Sequence, residues 1–286
     1  MMADAGMQDI FIPYNIIGET KLKRLMHLAR RAKLSVTADS AFSVRGYSEA
    51  AQREGADWRD PTELPVLVEF DTGAGRCGVQ SPQEAAELAR FITKSPGLRF
   101  SGLMTHPSNT YSDRLVGETR ALLKTDGIVI ERVSYGGTPG MWHAHTHSEI
   151  TEYRAGTYVY GDRAIIKSGA MSVDDCAFSI IATVVSRPTA DRGILDGGSK
   201  TFSSDLLGLK GHGLILEYPN AHFYGMSEEH GHVDFSKCSH KPEIGERMTI
   251  IPNHCCVVSN LFNQIVAVRR NQVQVTWSVA ARGMLQ

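Results

Sequence analysis

The chain has 286 residues, with 30 lysines and arginines against 31 aspartates and glutamates and 42% hydrophobic residues. That length holds one large α/β domain, or a barrel with an appended domain, around a substantial core. A formal net charge of −1 with no basic face or tail argues against nucleic acid and anionic membrane as partners, which makes a small-molecule site the default expectation.

Along the chain, apolar extended runs alternate with helical stretches up to about residue 162. Residues 9–13 read as a strand. Residues 19–33 read as an amphipathic helix, because Leu22, Leu25, Met26 and Ala29 share one stripe. A second strand at 34–38 and a short helix at 48–54 follow. The third strand, 64–70, is apolar almost throughout and closes on Asp71-Thr-Gly-Ala-Gly-Arg-Cys-Gly78. Ser81 then caps a helix to about residue 93, with Pro82 in its first turn and Glu84 three residues on. Strands at 98–104 and 128–134 flank a helix at 114–124, and a sixth strand spans 149–159. Beyond it the beat stops, and short strands at 177–186, 192–195, 213–217, 247–251 and 272–278 alternate with Gly, Pro and Asn. The pattern predicts an incomplete (β/α)8 TIM-type barrel over 1–165, two strands short of closure, followed by a β-rich domain over 166–286.

Some positions read as chemistry. In eight-stranded barrels the loops after the last two strands commonly hold phosphate. If two strands are missing at the front, those loops are Gly136-Gly-Thr138 and Gly156-Thr157, where free amides and a helix dipole favour an anion. Arg76 follows a buried strand in a Gly-rich turn, from which a guanidinium can reach a phenolate or carboxylate. His106 ends a strand and is a candidate proton carrier. Near the C-terminus, His254 and Cys256 lie two residues apart after Pro252 and Asn253. In an extended segment they share a face, and an imidazole beside a thiol suits zinc. His143, His145 and His147, on the predicted helix after the glycine loop, are not assigned to a metal. Five cysteines, two of them adjacent, fit reduced thiols. The opening residues lack a basic and an apolar signal region, and no run approaches a membrane span, so a soluble, cytoplasmic protein is expected.

The ordered set Asp71-Thr-Gly-Ala-Gly-Arg-Cys-Gly78, Tyr135-Gly-Gly-Thr138, Arg154-Ala-Gly-Thr-Tyr158, Leu195-Asp-Gly-Gly-Ser-Lys200, Met226-Ser-Glu-Glu-His-Gly231 and Pro252-Asn-His-Cys-Cys256 resembles the D-threonine aldolase and D-serine dehydratase family. That family is related in fold to alanine racemase and uses pyridoxal 5'-phosphate. The resemblance implies that Gly136, Gly137, Thr138, Gly156 and Thr157 hold the cofactor phosphate, that Arg76 lies by the pyridoxal ring and that Tyr160 lines the pocket. It further implies that His254 and Cys256 hold a divalent metal, Zn or Mn, gripping the substrate β-hydroxyl. The expected reaction is retro-aldol cleavage of a β-hydroxy-D-amino acid to glycine and an aldehyde by a homodimer, with D-serine dehydration to pyruvate and ammonia as the alternative.

Family members carry their Schiff-base lysine on the first barrel strand, and this sequence opens at what resembles the helix after the second. Lys200 belongs to the second domain and Lys33 precedes a strand, so neither is an obvious substitute. A truncated reading frame begun at an internal methionine is therefore expected. A catalytically silent chain is a further alternative, and a zinc hydrolase a remoter one, since two visible ligands fall short of the usual three.

Overall fold

A computed structural model describes residues 1–54 and 63–284, and their contacts group into two units, Met1–Ala155 and Gly156–Gln286. In the first unit, strands and helices alternate as β1 (Asp9–Ile12), α1 (Glu19–Ala29), β2 (Lys33–Ala38), α2 (Ala41–Glu54), β3 (Leu64–Phe70), α3 (Pro82–Thr93), β4 (Leu98–Thr105), α4 (Thr110–Lys124), β5 (Arg132–Gly136) and β6 (Glu152–Arg154). The six strands form one parallel sheet in sequence order, as the alternating pattern predicts. Buried apolar side chains of its strands and helices, among them Val66, Val68, Ile92 and Leu115, make its core.

Local chemistry explains most boundaries. Ser81 accepts from the Glu84 amide at 3.2 Å and Pro82 fills the first turn, so α3 starts where the capping signal places it. Helix α2 begins at Ala41, seven residues ahead of its predicted start at 48. Its Tyr47 is fully buried, donates to the Thr37 carbonyl at 2.9 Å and accepts from the Ile16 amide at 2.8 Å. Burial pushes the Tyr47 phenol up to about 12. Tyr47→Phe should therefore strand two backbone groups and cost about 2 kcal/mol, read as a lower denaturant midpoint with an unchanged slope.

The second unit begins with a short 3-10 turn, Thr157–Val159, and α5 (Arg163–Lys167). It continues with β7 (Ile180–Ser186), β8 (Arg192–Leu195), α6 (Ser199–Phe202), β9 (Gly213–Ile215), β10 (His222–Met226), β11 (Gly231–Asp234), β12 (Arg247–Pro252), α7 (Cys255–Ser259), β13 (Gln264–Arg269) and β14 (Gln272–Ser278). Six of these strands form a sheet ordered β10-β11-β8-β7-β12-β9, whose pairs are antiparallel. Phe202, Phe223, Val233, Phe235, Met248 and Ile250 fill its core. The remaining pair, β13 and β14, forms a separate ribbon. Arg270 (φ 50°) and Asn271 (φ 60°) make its two-residue turn, and every residue of β14 is exposed. Among the described residues, no helix is long and apolar enough to cross a membrane.

Candidate functional site

In the first unit, chemistry gathers at the carboxyl ends of the strands. The whole of β3 is buried, and its single charged residue, Glu69, is 2% exposed. Arg76 reaches back from the following turn, its Nη2 3.6 Å from Glu69 Oε1. Burial raises the Glu69 pKa although the Arg76 guanidinium pulls the other way, so at this separation desolvation outweighs the ion pair. Asp71 shapes the turn that carries Arg76, its Oδ1 accepting from the amides of Gly73, Ala74 and Gly75 at 2.9, 3.0 and 3.2 Å.

His106 follows the end of β4. Its pKa is lowered by burial, and then by the nearby cations Arg76 and Arg154, which keeps the imidazole neutral near pH 7. Beside it lies the turn after β5. Gly137 (φ 114°) adopts a backbone that favours glycine, and a Cβ on Gly136 would stand 2.8 Å from Arg154 Nη2 and 3.3 Å from His106 Nδ1. Arg154 is the half-buried cation of this corner. It donates to the Thr105 carbonyl at 3.0 Å and to Ser134 Oγ, and its guanidinium carbon stands 5.6 Å from the centre of the Phe11 ring.

The structure thus brings Arg76, His106, Gly136 and Gly137 into one corner. It also shows the glycines at work within the chain. The Gly136 amide donates to Ser108 Oγ at 2.8 Å, the Gly137 amide donates to the Arg154 carbonyl at 3.1 Å, and the Gly137 carbonyl accepts from Tyr153 Oη at 2.7 Å. Their role is to let the backbone turn closely past Arg154 and His106, and the 3-10 helix Thr138–Thr146 starts directly after them with Thr138 at its first position. Of the three histidines that follow, His143 and His145 are exposed, while His147 Nδ1 lies 2.7 Å from Asp113 Oδ2 on α4.

In the second unit, Gly156 is the residue before the 3-10 turn that Thr157 opens, and open space surrounds the place of its missing Cβ. Tyr160 packs against Phe178 with ring centres 5.1 Å apart and belongs to the margin of the core. The strand β12 stops at Pro252, His254 is the residue before α7, and Cys256 lies in that helix's first turn. The expectation of an extended segment is corrected here: a helix entry, rather than strand alternation, faces the thiol toward the imidazole. Among the described residues no group of three His, Cys, Asp or Glu side chains is arranged to hold a metal ion.

Around that pair the charges are arranged by Asp162, which is fully buried. Its Oδ1 accepts from the Ile165 amide at 2.9 Å, and its Oδ2 accepts from the Cys255 amide at 3.0 Å and lies 3.3 Å from His254 Nδ1. Burial alone would raise the Asp162 pKa, but the hydrogen bonds from His254, Ile165 and Cys255 more than offset it and leave it lowered. Bonding to Asp162, then to Cys256, lifts His254 up to about 10, while the Cys255 thiol and His254 together depress Cys256.

Glu69, Arg154 and Asp162 were not singled out from the sequence. The signals were a lone acid in an otherwise apolar strand, and two charged residues flanking a glycine turn (Arg154 before Gly156, Asp162 after Gly161).

Comparison with known proteins shows the family. The family model "Alanine racemase, N-terminal domain" matches residues 8–164, and "Putative serine dehydratase domain" matches residues 177–268. The chain is 31% identical to D-threonine aldolase of Arthrobacter sp, over 98% of this chain and 75% of that protein. It is 26% identical to D-threo-3-hydroxyaspartate dehydratase of Delftia sp. (strain HT23), over 96% of this chain and 79% of that one. The crystal structure of D-threonine aldolase from Filomicrobium marinum superposes with a TM-score of 0.86 at 28% identity, covering 100% of this chain and 80% of the other. The chain therefore belongs to the alanine-racemase-like, fold type III family of pyridoxal-phosphate enzymes, among lyases that include D-threonine aldolase and D-serine dehydratase.

Proposed function

We propose that this protein acts on β-hydroxy-D-amino acids by the D-threonine aldolase reaction, cleaving the Cα–Cβ bond to give glycine and an aldehyde. What carries the reading is His106, a half-buried imidazole held neutral beside Arg76 and Arg154, as a group must be to take the substrate's β-hydroxyl proton. The residues of the first unit fit the anionic end of pyridoxal phosphate. A half-buried guanidinium lies under a glycine turn, where a Cβ on Gly136 would displace Arg154 Nη2, and Thr138 opens the helix that follows. In this reading Gly136 and Gly137 shape the phosphate loop, Thr138 meets the phosphate, and Arg76 and Arg154 supply charge for the phenolate and the ring. Gly156 and Thr157 belong to the second unit and add donors at their own turn. Tyr160 is kept as a pocket residue. When bound, the cofactor supplies an electron sink for the bond that breaks at Cα.

Among the described residues no lysine stands at the carboxyl end of any strand of the parallel sheet, and Lys200 is exposed and paired with Glu228 and Glu229. Covalent attachment of the cofactor is therefore assigned to none of the described residues. Retention of cofactor after borohydride treatment and denaturation would show that a reactive amine is present after all.

The donors His254 and Cys256 fit a divalent cation with the rest of its shell open, acting as Lewis acid on a substrate hydroxyl, and a thiolate ligand favours zinc over manganese. A homodimer is proposed from kinship, with sedimentation as its test. A second reading, dehydration of the D-serine type, is favoured by the serine dehydratase match over residues 177–268. Incubation with D-threonine and with D-serine decides between them: glycine and acetaldehyde support the first reading, pyruvate and ammonia from D-serine the second.

The charge environment of His106 yields a test independent of turnover. Removing a neighbouring cation should raise its pKa, so Arg76→Gln should move the His106 NMR titration upward from a value below the ordinary 6.5. In an active enzyme the acid limb of kcat/KM should move the same way. An unchanged titration would mean that Arg76 does not act on His106.

A further inference from the structure

We infer that Asp162 is the positioning residue of the cation site, fixing the His254 ring so that Nε2 is the ligand atom presented beside Cys256. The inference rests on the proposed reading of His254 and Cys256 as a cation-binding pair, and goes beyond it by naming the group that orients the ring and the nitrogen that binds.

Asp162 is 0% exposed; it accepts from the Ile165 amide at the start of α5 and the Cys255 amide at the start of α7, and its Oδ2 faces the His254 ring at Nδ1. An ionised carboxylate only accepts, so the nitrogen facing it, Nδ1, must be the one that carries hydrogen. The in-plane lone pair that can bind a metal is then on Nε2, on the far side of the ring.

Asp162 also sets the backbone that carries the second donor. By accepting from the Cys255 amide at 3.0 Å it supplies the cap that His254 does not, because α7 has no side-chain cap of its own. One carboxylate therefore fixes both the ring and the first turn that holds Cys256. Arg163 and Asn253 brace the same stretch, with Arg163 Nη1 donating to Asn253 Oδ1 at 2.6 Å, while the Asn253 amide group donates to the Gly211 carbonyl at 2.9 Å. His254 thus has rigid neighbours on both sides, the arrangement that distinguishes a positioned ligand from a surface imidazole. Cys256 Sγ stays exposed, 3.9 Å from Thr157 Oγ1, so the open side of the pair faces solvent.

The test uses the full chain and zinc ion alone, without cofactor. In the zinc-loaded protein, long-range 15N correlation spectra of His254 should show hydrogen on Nδ1 and metal on Nε2. Asp162→Asn keeps a capping side chain of the same shape, since Asn and Asp are comparable caps. It should nevertheless weaken zinc, measured by chelator competition, by about 10- to 100-fold, as loss of an orienting carboxylate does elsewhere. The inference is overturned if zinc binds through Nδ1, or if the Asn variant folds and holds zinc within threefold of the parent. Should that variant fail to fold, the 15N spectrum of the parent decides by itself. If the parent binds no zinc, the cation reading of His254 and Cys256 falls, and this inference with it. Parent binding with an indifferent Asn variant removes this inference alone.

Discussion

Gly102→Ala should unfold the parallel sheet or weaken it by about 3 kcal/mol or more, an effect as large as truncating a large core side chain. Gly102 has φ 154°, and a Cβ built on it would lie 1.8 Å from the Arg132 carbonyl oxygen and 2.7 Å from the Arg132 carbonyl carbon. Both atoms belong to the backbone of β5, so no rotamer change relieves the contact. The position coincides with an irregularity: β3 pairs Val66 with Phe100 but Leu67 with Gly102, which leaves Ser101 as an extra residue. Gly102 is also the first β4 residue to pair with β5, opposite Arg132. Adding one methyl there must push β5 away, and β5 carries Gly136 at its end. Circular dichroism and urea titration of the alanine variant, compared with Gly117→Ala on α4 where nothing lies within 4 Å of the new Cβ, give the contrast. Equal midpoints for the two variants would mean that the approach of the two backbones is not tight in solution.

Arg154→Met should lose both stability and cofactor affinity. The methionine keeps an apolar stem near Phe11 but removes the donor that satisfies the Thr105 carbonyl and Ser134 Oγ. It also removes a cation from the vicinity of Glu69 and Glu152. Breaking a buried charge network by deleting one member typically costs about 3 kcal/mol. On the proposed reading, in which Arg154 supplies charge to the cofactor, loss of a charged hydrogen bond is worth about 1.5–3 kcal/mol, so pyridoxal phosphate affinity should fall roughly 10- to 100-fold, measured by fluorescence titration. Arg154→Lys should recover only part of either, because an ammonium cannot reproduce the planar fork that reaches Thr105 and Ser134 together. Full recovery with lysine would show that charge, and not geometry, is what Arg154 contributes.

These two residues also mark what the sequence could and could not reveal. Strand β3 was legible because a buried parallel strand is apolar nearly end to end, and α3 was legible because Ser81, Pro82 and Glu84 form a local signal. Strand β5 starts at Arg132 rather than 128, because the Ile128 amide bonds back to Leu123 and closes the turn after α4. The sixth strand is only Glu152–Arg154, since Thr157–Val159 winds into a 3-10 turn. Strands β10 and β11 escaped notice because each is short, rich in Gly and His, and turns only alternate side chains such as Phe223 and Val233 inward. At the site, glycine turns and a strand-end histidine stand out in one dimension. The partners Glu69, Arg154 and Asp162 do not, because their importance lies in who faces them, and Asp162 meets His254 across 92 positions of chain.

The ribbon of β13 and β14 reverses at Arg270 and Asn271. A two-residue reversal with both residues at positive φ normally calls for glycine or asparagine, yet here one position is Arg270. A bulge between Ala267 and Val268 separates that reversal from the pairs Ile265 with Trp277 and Ala267 with Val275. A slip of one position would carry the indole from one side of the ribbon to the other. With Trp58 and Trp142 replaced by phenylalanine, wavelength shifts in Trp277 emission on replacing Arg270 with glycine would therefore report alignment of the two strands.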